Sequence, residues 1–342
     1  MELLETMKEL TQLRGISGWE DSVREYIIGR VEGRCDSYEV DNMGNLIVHK
    51  KGRERAEKKL LFSAHMDEVG FIVTHITKEG MLHFEAVGGV LPAVTAGRPV
   101  LIGKNAVPGV IGTRPIHLLT QEERKEYAKL EDMRIDIGAK DKEDAGKLVS
   151  PGDPVTFIGP WRELGPDAVL AKAIDDRAGC ALLLSLIYSD LPYDCDFAFV
   201  VQEETGCSGS RAVAFRQRPD IAVVVESTTA GDLPSAPEGR QVCKVKGGPV
   251  ISFMDKGTIY PWELYRRATG LAEKAGIPWQ TKEGVFGGND SRSYASSAAG
   301  AKVLAVSLPV RYLHSANTLA DKGDIENASK LLALLAQKLP QG

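Results

Sequence analysis

Short runs of hydrophobic residues alternate with longer segments of mixed hydrophobic and polar residues along most of this chain. The runs are rich in Val, Leu, Ile, Ala and Phe, which is typical of buried strands, and they lie at 59–64, 167–174, 197–201, 220–225 and 302–308. Helical patterns fill the segments at 1–31 (interrupted at 14–18), 178–189, 261–275 and 324–339. A hairpin is predicted at 38–49, with its turn at 42–45. This alternation of strands and helices predicts an α/β fold.

The segment from about 70 to 161 has a different pattern. Its strands are short, closely spaced and separated by Gly and Pro, and a polar stretch at 120–147 follows them. This pattern predicts a small, mostly β barrel or sandwich inserted into the larger unit. The predicted domains are therefore a discontinuous α/β domain at 1–70 and 161–342, and an inserted β domain at 71–160.

The composition narrows the classes of function. Hydrophobic residues make up 43% of the 342 positions and charged residues 26%, as in ordinary globular proteins, and the net charge of -5 favours no nucleic-acid partner. No apolar stretch is long enough for a membrane span, and residues 1–6 lack signal-peptide features. Five cysteines without a Cys-x-x-Cys argue against disulfides and thiolate zinc sites, so we expect a cytoplasmic protein.

Two adjacent carboxylates, Glu203 and Glu204, closely follow the strand predicted at 197–201. A carboxylate is costly to desolvate unless a cation or hydrogen bonds compensate it, and this stretch alone is equally compatible with a solvated loop. The other buried runs favour a functional site over a solvated loop, because they too lead to acidic residues or histidines. Those residues are His65 with Asp67, Asp175, Glu226, and His314 in the loop after the last strand.

These side chains are the types that hold divalent ions. In open α/β sheets, sites form at the carboxyl ends of the strands. Two histidines and three carboxylates suffice for two ions, with one carboxylate bridging, and the absence of soft ligands favours Zn, Co or Mn. Asp67 can orient the ring of His65 as a second-layer acceptor. The glutamate of the 203–204 pair that binds no ion is free to act as the base in metal-assisted hydrolysis, but spacing does not decide which one it is.

Several motifs make the chain similar to a known family. They lie at 63–70, 174–179, 202–206 and 313–315, and within the inserted segment at 114–119, 130–139 and 150–153. In this order they resemble the M42 metallo-aminopeptidases, the glutamyl and deblocking aminopeptidases that form tetrahedral particles, over nearly the whole chain. The resemblance implies a mixed-sheet α/β/α zinc-peptidase (phosphorylase/hydrolase-like) domain with an inserted β-barrel-like domain.

The resemblance also implies roles for individual residues. Asp175 would bridge two divalent ions, Zn or Co by preference, with Mn accepting the same ligands. His65 and Glu226 would complete one metal site, and Glu204 and His314 the other. The family often has Asp where this chain has Glu226, which leaves the affinity of that metal site open.

The remaining implied roles concern catalysis. Glu203 would be the general base, and Asp67 would orient the metal-binding ring of His65. The turn at 287–290 resembles the family's Gly-Gly-x-Asp, followed here by Ser rather than a small apolar residue. Four other histidines lie outside these motifs and are interpreted as structural: His49, His75, His83 and His117.

The implied activity is a two-metal aminopeptidase that removes N-terminal residues from short peptides by metal-activated water. Its subunits would form dimers through the segment at 71–160 and then a dodecamer, although an inserted domain is also compatible with a lid. Other hypotheses remain open. They are a deacylase or carboxypeptidase with the same chemistry, an endoglucanase, as some relatives are labelled, and a non-enzymatic metal-binding scaffold.

Overall fold

The computed structural model describes residues 2–234 and 236–341, so the two ends of the predicted α/β domain, 1 and 342, and position 235 lie outside the described residues. Eight α-helices occur in the described part: α1 (Leu3–Gln12), α2 (Asp21–Val31), α3 (Lys142–Gly146), α4 (Ile174–Tyr188), α5 (Ser208–Gln217), α6 (Trp262–Ala275), α7 (Ser291–Ser296) and α8 (Lys322–Lys338). None of these helices is long and apolar enough to cross a lipid bilayer.

Seventeen strands occur in the same described part of the chain. The first nine are β1 (Ser37–Val40), β2 (Leu46–Lys50), β3 (Leu60–His65), β4 (Gly70–Ile76), β5 (Leu82–Val87), β6 (Pro99–Ile102), β7 (Val107–Gly112), β8 (Arg134–Asp136) and β9 (Pro154–Phe157). The others are β10 (Arg162–Leu164), β11 (Ala168–Ala171), β12 (Cys195–Val200), β13 (Ile221–Thr229), β14 (Val250–Ile251), β15 (Gln280–Thr281), β16 (Lys302–Arg311) and β17 (Thr318–Asp321).

Eleven strands form one mixed sheet in the order β1-β2-β12-β3-β13-β16-β17-β11-β10, with β14 and β15 attached beside β16. The four central strands β12, β3, β13 and β16 are mutually parallel. Alternate side chains enter different cores: Leu60 and Phe62 contribute to the core beneath α1, α2, α4, α6 and α8, and Leu61 to the core beneath α5 and α7. The sheet is therefore covered by helices on both faces, which confirms the predicted α/β/α class.

Local signals explain where the main helices begin and end. The carboxylate of Asp321 accepts hydrogen bonds from the amides of Gly323 (2.9 Å) and Asp324 (3.2 Å), and this N-cap starts α8. Helix α6 ends at Gly276, which adopts a left-handed φ of 64°. The predicted hairpin is confirmed, since β1 and β2 pair in antiparallel fashion.

Six strands between β3 and β10 close into a separate barrel in the order β4-β5-β8-β7-β6-β9. Its core contains Phe71, whose ring meets the edges of Phe84 (centroids 5.0 Å apart) and Phe157 (5.3 Å). Closure pairs β9 with β4 and leaves no free edge. The sequence was compatible with a barrel or a sandwich, and the structure shows the barrel.

Candidate metal centre

The predicted site residues come from one edge of the mixed sheet. His65 is the last residue of β3, and Glu203 and Glu204 follow the end of β12. Asp175 lies at the start of α4, and His314 lies in the loop after β16. Because the four central strands are parallel, their carboxyl ends meet at this edge and bring distant parts of the sequence together.

Asp175 lies between the two histidines. Its Oδ1 is 3.4 Å from Nε2 of His65, and its Oδ2 is 3.5 Å from Nε2 of His314. The same nitrogen of His314 is 3.4 Å from Oε1 of Glu204. Candidate ligand atoms of His65, Asp175 and Glu204 all lie within 4.8 Å of one another. Four of the five predicted ligands therefore converge.

Glu226, the fifth predicted ligand, lines the same cavity as His65 and Asp175. The apolar run suggested that Glu226 ends its strand. Strand β13 instead continues to Thr229, so Glu226 lies within the strand. Its Oε1 accepts hydrogen bonds from Nδ2 of Asn289 (2.8 Å) and Oγ of Ser307 (3.1 Å). These two contacts fix the carboxylate of Glu226 against the neighbouring strand and the turn before α7.

Each histidine presents Nε2 to Asp175 because its Nδ1 is held elsewhere. Nδ1 of His65 is 3.1 Å from the backbone carbonyl of Asp67 and 3.4 Å from its carboxylate. Nδ1 of His314 is 2.9 Å from the carbonyl of Gly89, which lies in the loop between β5 and β6. Such contacts set the orientation of a metal-binding imidazole. The inserted segment thus supplies one of the orienting groups.

The carboxylate of Asp67 has more partners than the sequence suggested. It accepts hydrogen bonds from the hydroxyl of Ser17 (2.6 Å) and from the backbone amides of Glu203 and Glu204 (both 3.1 Å). Asp67 therefore positions the turn that carries both glutamates as well as facing His65.

Burial dominates the pKa values of the glutamates. It raises the pKa of Glu226 to about 7, although attraction to Lys282 opposes the shift. Burial also raises the pKa of Glu203 well above its usual range. It raises the pKa of Glu204 as well. Neutral carboxyl groups are favoured here because a low-dielectric site penalises the charged form.

The histidines show the opposite balance. Burial lowers the pKa of His65, but hydrogen bonds to Asp175 and Asp67 outweigh it and raise that pKa well above 6.5. Burial also lowers the pKa of His314, but Asp175 and Glu204 outweigh burial and raise that pKa to about 9. In Asp175 burial is outweighed by both histidines, which hold its pKa far below its ordinary value. Since metal ligands bind in their deprotonated forms, a divalent cation competes with these protons.

The backbone around the cluster is strained. Ala173, Gln202 and His314 adopt left-handed φ values of 52°, 56° and 56°. Each precedes or carries a predicted site residue, and non-glycine residues adopt this conformation only when the surrounding structure enforces it. Conformational strain of this kind is concentrated at functional sites.

Three residues that sequence reasoning did not assign also belong to this region. Asn289 contacts Glu226, and Asp290 is a buried neighbour whose pKa burial raises to about 6. Both lie in the turn at 287–290, so the motif was visible but the individual roles were not. Lys282 lines the cavity, and no pattern in the sequence distinguishes it from a surface lysine.

The remaining histidines lie away from the cluster. Nδ1 of His49 is 2.6 Å from the carboxylate of Asp196, and His75 and His83 pack against each other in the barrel with centroids 5.8 Å apart. His117 lies in a short 3-10 helix of the inserted segment. Their structural interpretation stays a prediction.

Comparison with known proteins agrees with the fold. A sequence profile of the M42 glutamyl aminopeptidase family matches residues 44–331. A lysyl aminopeptidase of Pyrococcus furiosus is 29% identical, with 98% of this chain and 97% of that protein covered. The structure of the TET1 peptidase of Pyrococcus horikoshii is 36% identical with a TM-score of 0.87, covering 98% of this chain and 100% of that one. A Thermotoga maritima structure described as an endoglucanase is 37% identical with a TM-score of 0.81, covering 98% and 97%.

The chain belongs to the M42 family of peptidases, since the family profile spans most of its length. It is an aminopeptidase, a hydrolase that acts on peptide bonds.

Proposed function

We propose that this protein is a two-metal aminopeptidase that removes N-terminal residues from short peptides. The position of Asp175 carries the proposal: one of its carboxylate oxygens faces His65 at 3.4 Å and the other faces His314 at 3.5 Å. A carboxylate between two imidazoles is suited to bridging two divalent ions. Each histidine then serves a different ion.

The residues present fit two such cations. Among the residues that the structure describes, none donates a hydrogen bond to the buried Oε1 of Glu204, and a bound cation would offset that cost. The donor set of imidazole nitrogens and carboxylate oxygens suits Zn, Co or Mn. We assign His65 and Glu226 to one ion, Glu204 and His314 to the other, and the bridge to Asp175.

The chemistry divides between the ions and the protein. When bound, the ions supply Lewis acidity that polarises the scissile carbonyl and lowers the pKa of a water molecule. We assign Glu203 as the general base, because it lines the same cavity and its backbone is held by Asp67. Glu203 accepts a proton from the attacking water and passes it to the leaving amine. Burial raises the pKa of Glu203, whereas two bound cations would lower it and leave the carboxylate able to accept that proton.

The alternatives differ in substrate rather than in ligand set. A deacylase or carboxypeptidase would use the same ions and base. An endoglucanase, the description carried by the Thermotoga maritima structure, needs only two carboxyl groups across a sugar. The two histidines facing Asp175 would have no role in that reaction, so we favour the peptidase.

The test is a panel of aminoacyl anilides, N-acylated anilides and cellulose, assayed after chelation and after adding back Zn or Co. Free-amine anilides should be cleaved, activity should disappear with chelator and return with metal, and Glu203→Gln should lower turnover by about 10²- to 10⁴-fold. The variant should still bind two ions per subunit, and Glu54→Gln at an exposed position serves as the matched control. Cleavage of only N-acylated substrates or cellulose would overturn the assignment.

We also propose that the subunits assemble into dimers and then a dodecamer, with the segment at 71–160 as the dimer contact and 1–70 with 161–342 as the catalytic domain. The Pyrococcus horikoshii peptidase is described as assembling into a tetrahedron or an octahedral shell. The inserted segment exposes large apolar side chains, which favours an interface there: Leu91, Ile116, Leu118 and Tyr127. Light scattering should give a mass about twelve times the 37.1 kDa of one chain.

A cytoplasmic location completes the proposal. All five cysteines of the chain are free thiols, and Cys180, Cys195 and Cys243 are buried. Unpaired buried cysteines are typical of proteins from reducing compartments. Fractionation of the source cells with an antibody against the protein would test the location.

A further inference from the structure

The loop that joins α1 to α2, residues 13–20, contacts the turn that carries the proposed general base. We call this segment the support loop. The hydroxyl of Ser17 donates a hydrogen bond to Oδ2 of Asp67 at 2.6 Å, and Asp67 in turn binds the turn at 202–204. The carboxylate of Glu20 binds the first backbone amide of the same turn directly. The support loop therefore reaches this turn by two separate routes.

Three consecutive backbone amides of the turn donate to these two acids. Oε1 of Glu20 accepts from the amide of Gln202 at 3.1 Å. Oδ1 and Oδ2 of Asp67 accept from the next two amides, both at 3.1 Å. Gln202 has a left-handed φ of 56°, which is unfavourable for a residue other than glycine unless its surroundings enforce it. The two acids thus stabilise a backbone conformation that a free loop would rarely adopt.

The support loop is itself fixed to the core of the α/β domain. The amide of Glu68 donates to the carbonyl of Gly15 at 2.9 Å, and the amide of Gly15 donates to the carboxylate of Glu68 at 3.2 Å. The buried guanidinium of Arg177, in α4, donates to the carbonyls of Leu10 (2.7 Å) and Gly15 (3.3 Å). A side chain held by a rigid element can position its neighbour accurately.

Burial makes Glu20 and Asp67 costly residues to keep. They are only 4% and 0% exposed, and the charge of Asp67 repels that of Glu20. Apolar side chains at both positions would avoid the desolvation cost, but they would remove the acceptors of three backbone amides. The arrangement is therefore explained by the turn that the two acids bind.

We infer that Ser17 and Glu20 are positioning residues for Glu203. The inference rests on the proposed function, in which Glu203 accepts a proton from the attacking water. Proton transfer requires hydrogen-bond distance between the base and the water, and a displacement of about 1 Å can lower turnover about 10²-fold. The described residues that line the cavity include neither Ser17 nor Glu20, so their effect is transmitted through the backbone of the turn.

The first test measures turnover of an aminoacyl anilide at saturating metal. Ser17→Ala should lower kcat by about 10- to 100-fold with little change in KM and with two ions still bound. Ser17→Thr keeps a hydroxyl and should recover most of the loss. Ser22→Ala is the matched control, because the hydroxyl of Ser22 also makes a 2.6 Å hydrogen bond, but to the carbonyl of Arg14 rather than to Asp67.

Glu20 is tested in the same assay by two variants of different chemistry. Glu20→Leu removes the acceptor of the amide at 202 and should lower kcat about as much as Ser17→Ala does. Glu20→Gln keeps an oxygen at the same place and should retain most of the turnover of the parent. Equal losses in the two variants would mean that the hydrogen bond to the turn is not what matters, and would overturn the role of Glu20.

A double variant separates positioning of the base from any other role of Ser17. If Ser17 acts through Glu203, adding Ser17→Ala to Glu203→Gln should lower kcat no further, because the base is already absent. If the two losses multiply in full, Ser17 acts on the metal centre or on the fold as a whole, and the inference is wrong.

Amide hydrogen exchange tests the support loop without a substrate. In Ser17→Ala and Glu20→Leu the amides at 202–204 should exchange about tenfold faster, while those of β13 keep the rates of the parent. Unchanged exchange at 202–204, or equal acceleration in β13, would overturn the inference. If the parent cleaves no anilide, the proposed function fails, and hydrogen exchange alone then decides whether the support loop fixes the turn.

Discussion

The two histidines of the candidate site are held by different kinds of structure. His65 ends a central strand, is 4% exposed, and its backbone amide donates to the carboxylate of Asp176 at 3.2 Å. His314 lies in a loop with a left-handed φ, its side chain is 29% exposed, and its ring is held by the carbonyl of Gly89 from the inserted segment. One half of the site is therefore built within the α/β domain. The other half depends on how the barrel contacts the sheet.

The largest expected effect is a difference in the free energy of unfolding between variants of the two histidines. In chelator, His65→Gln should lower the free energy of unfolding by about 3 kcal/mol, because Asp67 and Asp175 lose a buried partner. His314→Gln should lower it by less than about 1 kcal/mol, because this histidine is partly solvated. Denaturant titrations of the two variants beside the parent provide the measurement. Equal losses would contradict the comparison.

Much of the first half could be predicted from the sequence. Buried strands that end in His65 or approach Glu203 and Glu204 are recognisable, because a hydrophobic run that leads to a charged group is unusual. The α/β class also followed from the alternation of helices and strands, and the family resemblance implied the mixed sheet. Glu226 shows the limit of this reasoning: it lies within β13, where hydrogen bonds from Asn289 and Ser307 make a buried acid tolerable.

The second half depends on contacts that leave no local signal. The partner of His314 is a backbone carbonyl at Gly89, 225 positions earlier, and a backbone carbonyl carries no side-chain signal. Lys282 resembles a surface lysine until the sheet is assembled around it. Such contacts arise from the relative placement of barrel and sheet, and single-sequence patterns do not encode that placement.

A smaller effect on metal affinity should test whether the barrel segment positions Glu204. At Gly88, with φ of 83°, an added Cβ would lie 2.8 Å from Cγ1 of Val69 and 3.2 Å from Cβ of Glu204. At Gly97, with φ of 75°, it would meet nothing within 4 Å. Both Ala variants carry a similar left-handed strain, roughly 1 kcal/mol. Only Gly88→Ala should displace Glu204, and it should weaken metal binding by about tenfold, as lost support of ligands does.

Metal titration of both variants, followed by turnover at saturating metal, measures this difference. Gly97→Ala is the matched control, because it reproduces the backbone strain without the contact. Should the two variants bind metal equally well, the inserted segment does not position Glu204.

The last effect concerns the pH dependence of Glu20, a carboxyl group buried behind the His65 half of the site. Oε1 of Glu20 accepts hydrogen bonds from the amides of Gly18 (2.8 Å) and Gln202 (3.1 Å). Burial, reinforced by repulsion from Asp67, raises the pKa of Glu20 from 4.5 to about 7. The folded state therefore holds this proton more tightly than the unfolded state. The stability gained in this way is fully present below pH 4.5 and is lost as the pH rises through about 7.

Glu20→Gln removes that titration, so the stability of the variant relative to the parent should rise by about 2 to 3 kcal/mol between pH 5 and 8. Unfolding titrations in chelator at several pH values measure the difference, and Glu25→Gln, exposed on helix α2 that follows Glu20, controls for the loss of one charge. A difference that does not change with pH would mean that Glu20 is already ionised in the folded protein. The packing behind His65 would then tolerate a buried charge, and the contrast between the two halves of the site would rest on His314 and the barrel alone.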